Sequence, residues 1–225
     1  MPYDFGPKEA ANFPQRTAEV ARKFALGGAF PTRALDVGCA VGGASFALAR
    51  HFDEVVGVDF SHAFVDAAKE LQSGGELPYT AMKQATNTSS HMAKVDPEID
   101  RSRVKIMQGD ACNLELLDIE KFDVIHASNL LCRLPNPRKF LEDAPRLLRP
   151  GGRLVLVSPY SWLEEYTESS QWIGGKDGQD SFEALQLIMA SSFTLEHQED
   201  FPFLIREHER KFQYGVSDCT VWALK

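Results

Sequence analysis

The sequence predicts an α/β fold with a seven-stranded, mostly parallel sheet and an antiparallel terminal strand. Three observations predict it. Short apolar strand-like runs alternate with helical periods from residue 33 onward, which implies parallel strands joined by right-handed crossovers. A glycine-rich turn follows the first of these strands, where a ligand can approach the backbone. Two strand-like runs close the chain with a short polar turn between them, so one terminal strand should run against the others.

The elements follow in order. Residues 1–12, with Tyr3, Phe5, Gly6 and Pro7, read as an irregular arm. A helix should start near Pro14, with Thr17, Val20, Ala21 and Phe24 on one face, and end at Gly27-Gly28. Arg33–Val37 is the first strand, Ala44–His51 a helix, and Glu54–Asp59 the second strand. Ser61 can cap the next helix, whose apolar face is Ala63, Phe64, Ala67, Ala68 and Leu71. Residues 73–100 break the rhythm with Gly74-Gly75, a polar TNTSSH run and Pro97, and read as a surface insertion, partly helical. Val104–Gln108 and Phe122–Ala127 are the third and fourth strands. Pro137 opens a helix with Phe140, Leu141, Ala144 and Leu148 on one face, and Pro145 predicts a kink in it. Pro150-Gly151-Gly152 turns the chain into the fifth strand, Arg153–Val157. A loop rich in Trp, Tyr and Glu spans 159–180, a helix 181–191, and the last two runs 193–206 and 211–224. The whole, 1–225, reads as one domain: an N-terminal arm and helix (1–30), an insertion (73–100) and a substrate-side loop (159–180).

Composition narrows the class. With 225 residues, 44% hydrophobic and 25% charged, the chain can bury a core without disulfides or metals. A formal charge of −8 argues against broad binding to nucleic acid or anionic membranes. Cys39, Cys112, Cys132 and Cys219 form no C-x-x-C pair and read as reduced, mostly buried thiols of a cytoplasmic protein. There is no signal-peptide pattern and no apolar run near the ~20 residues that cross a bilayer. His51, His62, His91, His126, His197 and His208 form no H-x-x-x-H-x-E cluster, so no metal is expected. Isolated histidines are more often surface or packing residues than ligands.

The first strand ends in Asp36-Val37-Gly38-Cys39-Ala40-Val41-Gly42-Gly43. Gly38 permits a tight turn, and Ala40 and Gly42 leave room for a ligand. Alone, this is also what a plain strand-to-helix turn needs. The second strand sharpens the case: it ends at Asp59, 17 residues after Gly42, where a carboxylate can accept both ribose hydroxyls of a nucleoside. Asp110 and Asn129 follow the third and fourth strands, on the edge where open α/β sheets bind ligands. Asp110 suits a turn as well as it suits a ligand contact. NAD sites favour G-x-G-x-x-G with a helix N-terminus on pyrophosphate, whereas Gly38 and Gly42 are spaced G-x-x-x-G. Asp36, Asp59 and Asp110 suit a phosphate-free sulfonium cation better.

This arrangement resembles the class I methyltransferases over roughly residues 33–160, including the LRPGGRLVLVSP stretch, Leu148–Pro159. The resemblance implies a Rossmann-like fold and S-adenosylmethionine as cofactor. It implies cofactor contacts at Asp36, Gly38, Cys39, Ala40, Gly42, Asp59, Phe60, Asp110, Ala111, Asn129 and Leu130. Further stretches narrow it: ANFPQ (11–15), ALDVGCAVGGASFALAR (34–50), VDFSHAFV (58–65), QGDACNL (108–114), SNLLCRLPNP (128–137), SPYSWLEEYT (158–167) and FLIREHERKFQY (203–214). Together these resemble the ovothiol-pathway methyltransferases, which N-methylate 5-thiohistidine (4-mercaptohistidine). Gly43 departs from that branch, where Arg is common. By resemblance alone, an iron-dependent sulfoxide synthase is the upstream pathway partner.

No catalytic residue is named; Asn129 and Tyr160 are positioning candidates. Tyr160, Trp162 and Tyr166, with Glu164 and Glu165, are expected pocket walls, and Tyr160 and Trp162 can face a sulfonium. Arg206, at the final turn with Glu207, Arg210 and Lys211, is the first choice to hold the substrate carboxylate, with Arg133 second. Asn12 and Phe13, with the arm before them, can close over the site. Each has a plainer alternative: loop packing, solvated turn charges, an untied terminus. Two other functions stay open: methylation of another small metabolite, and cofactor-dependent regulation without turnover.

Overall fold

Burial dictates the sheet. RALDV (β1, Arg33–Val37) is buried at every position, and FDVIHAS (β6, Phe122–Ser128) at all but its last. Strands buried on both faces sit between two helical layers. A computed structural model describes residues 6–27 and 31–225 and shows that arrangement. β2 (Glu54–Asp59) and β5 (Val104–Gln108) lie on one side of β1; β6, β7 (Leu148–Ser158), β9 (Lys211–Leu224) and β8 (Phe193–His208) lie on the other. The order is β5-β2-β1-β6-β7-β9-β8, with β9 alone antiparallel.

Alternation along each strand divides the core in two. Ile125 and Leu154 face α4 (Pro137–Leu147) and α5 (Ser181–Met189), with Phe140, Leu141 and Leu185. Val124 and Val155 face the other way, with Ala21 of α1 (Phe13–Phe24), Phe46 of α2 (Gly43–Leu48) and Val65 of α3 (His62–Gly74). Truncating a side chain as buried as Phe140 costs about 3–5 kcal/mol.

Several boundaries agree with the sequence. β2 and β5 begin and end as expected, and the Ser61 hydroxyl accepts the Phe64 N–H at the start of α3. Others differ. α1 stops at Phe24 because Ala25 is already extended; Gly28 lies outside the described residues. Leu148 is not on the helix but opens β7, paired with Phe122. Pro145 lies inside α4, which ends two residues later. The insertion is not helical. It is an antiparallel hairpin, β3 (Glu76–Gln84) with β4 (Asn87–Lys94). In β4 the half-buried Ser89, His91 and Ala93 recur every second residue, the period of a strand resting one face on its neighbours.

The final hairpin positions the site. β7 stops pairing with β9 at Ser158–Asp218, yet β8 and β9 run on together to His208–Lys211. β8 runs parallel to β7, so this overhang rises above the edge where β1, β2 and β6 end. All four cysteines are buried and free. No helix among the described residues is long and apolar enough to cross a membrane.

Candidate functional site

The site starts with the turn after β1. Gly38 has φ +74° and donates its N–H to Val58 O at 2.8 Å. A Cβ there would meet Leu130 Cδ1 at 2.8 Å. Ala40 has φ +47°, a strained value for a side chain, and its N–H is held by Asp59 Oδ2 at 2.8 Å. Asp59 Oδ1 accepts the Ser61 N–H at 2.9 Å. One carboxylate therefore fixes the glycine loop and the start of α3. It retains acceptor capacity, since a carboxylate offers roughly four lone-pair positions.

Two chambers meet at Gly38. The first, about 290 Å³, brings together Gly38, Asp59, Phe60, Asp110, Ala111 and Leu130, all expected, with Val58, Arg133, Leu134 and Pro135. Asp110 holds a turn at the chamber wall. It walls the chamber while Oδ1 accepts the Cys112 N–H at 2.8 Å and Oδ2 accepts Asn113 Nδ2 at 2.7 Å. Phe60 is largely exposed at the rim. The second chamber, about 210 Å³, brings Asp36, Gly38, Cys39 and Ala40 against Phe13, Thr17, His126 and Ser128. Two mainly apolar chambers with carboxylates on their walls, joined at a glycine, fit a long ligand with a flat base at one end and an amino acid at the other. A larger groove, about 1160 Å³, lies at the root of the β3–β4 hairpin among Gln72, Lys94, Asp96 and Arg101. It holds none of the expected residues.

Beneath the loop, Asp36 is buried and engaged. Oδ2 accepts Ser45 Oγ at 2.6 Å, and Oδ1 accepts His126 Nδ1 at 2.8 Å. His126 Nε2 lies 3.2 Å from Ser128 Oγ. Burial, with Asp36 and Asp59 nearby, pushes the Cys39 thiol far up, so it stays protonated and unreactive.

The residues expected on the acceptor side are tied to β9. Asn129 has φ +52° and its Oδ1 accepts Ser217 Oγ at 2.8 Å. Tyr160 has φ +49° and donates its hydroxyl to Asp218 Oδ2 at 3.0 Å. Burial raises the Tyr160 hydroxyl and then the Asp218 charge raises it further; burial also raises the Asp218 carboxyl, against Gln198 and Tyr160, which lower it. Tyr160 is thus a fixed donor. Phe13 packs on Phe201 and Phe203 with ring centroids 5.7 and 5.6 Å away. Asn12 is exposed and caps nothing with its side chain, despite its place at the start of α1. Tyr3 and Phe5 lie outside the described residues.

Trp162 is no pocket wall. It is buried in the core with its indole N–H on Ser181 Oγ at 3.1 Å, the usual way a buried indole satisfies its donor. Tyr166 is exposed and stacks under the Arg133 guanidinium at 5.0 Å. Arg133 also donates to Ser161 O at 2.7 Å and Cys132 O at 2.9 Å, so much of its fork is already engaged. Glu164 and Glu165 are exposed. Arg206 is exposed and has no acidic partner among the described residues. By strand alternation it shares a face with Leu204, Phe212 and Tyr214, opposite the face on which Phe203 meets Phe13.

From the sequence, His126 counts among isolated histidines and Ser128 is named only within the 128–137 stretch, so neither is a site candidate there. The structure shows why they matter: His126 is buried in β6 and pairs in register with Asp36.

Comparisons with known proteins agree with this geometry. The profile of a family described as "Methyltransferase domain" matches residues 35–156, more than half of the chain. The chain is 31% identical over 120 residues to a ubiquinone biosynthesis O-methyltransferase of Coxiella burnetii, covering 53% of this chain and 40% of that protein. It is 30% identical over 160 residues to a phosphatidylethanolamine N-methyltransferase of Cereibacter sphaeroides, covering 71% and 64%. The chain therefore spans about two fifths of the length of the first relative and under two thirds of the second. Its fold is similar to that of a magnesium protoporphyrin IX methyltransferase from Synechocystis solved with bound S-adenosylmethionine, at a TM-score of 0.59, 16% identity, and 99% and 88% coverage. It is also similar to a protein solved in a study of conversion of a disulfide bond into a thioacetal during echinomycin biosynthesis, at a TM-score of 0.62, 15% identity, and 93% and 81% coverage.

Proposed function

The chain belongs to the methyltransferase-domain family and takes S-adenosylmethionine as its cofactor, and from that premise we propose that it methylates an imidazole nitrogen of 5-thiohistidine, giving ovothiol A. One observation carries the choice of acceptor. The family match ends at residue 156, and the segments outside it that resemble the thiohistidine-methylating branch, 11–15, 158–167 and 203–214, each contribute a residue packed on or belonging to the final hairpin, which supports this reading. Phe13 meets Phe203, and Tyr160 reaches β9.

Asp59 would hold the ribose hydroxyls, Ala111, Leu130 and Leu134 the flat faces of the base, and Asp110 its amine. Gly38 to Ala40 would receive the amino-acid end, with Asp36 bracing them from below. When bound, the cofactor supplies a methyl group on a sulfonium, already a good leaving group. The protein's own task is then positioning, which can account for several orders of magnitude in rate. Asn129 is held by Ser217 and Tyr160 by Asp218, so both side chains are fixed before the acceptor arrives. Phe13, on Phe201 and Phe203, covers the second chamber and restricts water. Arg206, with an unengaged guanidinium, is the proposed carboxylate clamp; Arg133 is second.

Incubation with methyl-labelled cofactor and 5-thiohistidine tests the reading. The expected product is one methyl heavier, with the label on a ring nitrogen. No product at stoichiometric enzyme overturns it. The similarity to a ubiquinone biosynthesis O-methyltransferase and a phosphatidylethanolamine N-methyltransferase favours a second reading, another small acceptor; product from a metabolite panel but not from thiohistidine would establish that. Cofactor binding by calorimetry with no acceptor methylated in cell extract would instead favour a regulatory protein.

A further inference from the structure

We propose that Arg133 binds the cofactor rather than the acceptor: its guanidinium faces the adenine base in the first chamber, held there by the 158–167 loop. This rests on placing the base in that chamber, beside Asp110 and Leu130.

Arg133 closes a short 3-10 turn, Leu131–Arg133, that follows β6. The turn sets it on the chamber wall with Leu130, Leu134 and Pro135. Among the described residues it is the one basic side chain that lines this chamber, where Asp59 and Asp110 supply two carboxylates. It therefore offsets part of their charge. The sulfonium of the cofactor lies beyond the ribose, toward Gly38 in the same placement, so the two cations are kept apart.

The side chain is fixed before any ligand arrives. Nη1 donates to Cys132 O at 2.9 Å and to Ser161 O at 2.7 Å, and Nη2 reaches Ser161 Oγ at 3.4 Å. The Tyr166 ring lies 5.0 Å from the guanidinium carbon. Both Nη1 hydrogens are thus spent on carbonyls, which takes up one end of the fork that would grip a free carboxylate. The flat surface of the group is not spent: with one face on Tyr166, the other can stack on a second π-system, because a guanidinium is planar and weakly hydrated. A purine has the matching shape.

The loop buttresses the same wall twice. Ser161 O takes the Arg133 hydrogen, and the buried Thr167 Oγ1 donates to Leu134 O at 2.7 Å. Arg133 and Leu134, neighbours on the chamber wall, are both tied to 158–167. The loop expected to wall the acceptor therefore also completes the cofactor side, and the acceptor carboxylate is left to Arg206.

The test is NMR of the whole chain with labelled arginine side chains and labelled Ala and Leu methyls, titrated with S-adenosylhomocysteine. The Arg133 Nε–H, assigned with Arg133→Lys, should move upfield under the ring current of the base, together with the methyls of Ala111 and Leu130. Methylthioadenosine, which keeps the base and lacks the amino acid, should give the same shifts. Methyls that move while Arg133 does not overturn this proposal alone. If none of the three moves, the placement of the base falls with it. In calorimetry, Arg133→Met should weaken S-adenosylhomocysteine and methylthioadenosine alike by about tenfold, and Arg133→Lys, which keeps the charge and loses the plane, by nearly as much. Tyr166→Leu, outside the chamber, should cost about two- to threefold through a looser Arg133. Full affinity in Arg133→Met or Arg133→Lys, or a rise in acceptor KM alone, overturns the assignment.

Discussion

The two halves of the crevice are built differently. The cofactor half is local: Gly38, Ala40 and Gly42 lie within five residues, and Asp59 reaches them from the neighbouring strand. The proposed acceptor half is assembled from far apart. Phe13 meets Phe201, Asn129 meets Ser217, and Tyr160 meets Asp218. The first half depends on backbone conformation, which few residues can supply. The second depends on side-chain pairs that can be exchanged while the sheet persists. The difference teaches where specificity can change without loss of the cofactor.

Substitutions can break or sharpen that contrast. The largest effect should come from Asp59→Ala, which removes the acceptor for two backbone N–H groups and the ribose. Calorimetry should show S-adenosylhomocysteine binding weakened by about 3 kcal/mol, roughly a hundredfold. Gly38→Ala should follow, combining a positive φ with a methyl 2.8 Å from Leu130, at about 2 kcal/mol in folding stability together with weaker cofactor binding. Gly178→Ala is its control: φ is +76° but the space is open, so it should lower stability by about 1 kcal/mol and leave cofactor affinity alone.

Trp162→Phe should cost about 2 kcal/mol, read as a melting temperature lower by roughly 4–8 °C, with acceptor KM unchanged. A raised acceptor KM would return Trp162 to the pocket. Phe13→Ala removes two aromatic contacts and should raise acceptor KM by about tenfold, with S-adenosylhomocysteine affinity unchanged in calorimetry. If cofactor affinity falls as much, the two halves are not separable.

Asp218 gives the smallest effect. Burial raises its carboxyl above the ordinary 3.8, so the native state binds this proton more tightly than the unfolded chain. The stability it contributes is present below 3.8 and is lost as pH rises through the raised value. Asp218→Asn keeps an acceptor for Tyr160 and never ionises. Melting curves should place it about 1–2 °C above wild type near neutral pH, with the gap closing in acid.

Legibility in the sequence followed the same division. The Asp36-to-Gly42 loop and Asp59 were readable because each constraint lies within one strand and one turn. Ser61 was readable as a cap for the same reason. Trp162 was misread because exposure of an aromatic residue in a loop is a tertiary fact. The 73–100 hairpin was misread because Gly74-Gly75 and its polar residues hid a period of two. His126 was passed over because a buried polar residue gains meaning only from its partner, ninety positions away on β1.

The sequence by itself determined the parallel sheet and the glycine turn after its first strand, because hydrophobic period and positive-φ turns are local properties of a chain. Tertiary structure decided the rest: the overhanging β8–β9 hairpin, the burial of Trp162, and the Asp36–His126–Ser128 chain. These depend on which strands become neighbours and how far each outruns the next, and such long-range pairing leaves no spacing in the sequence from which to read it.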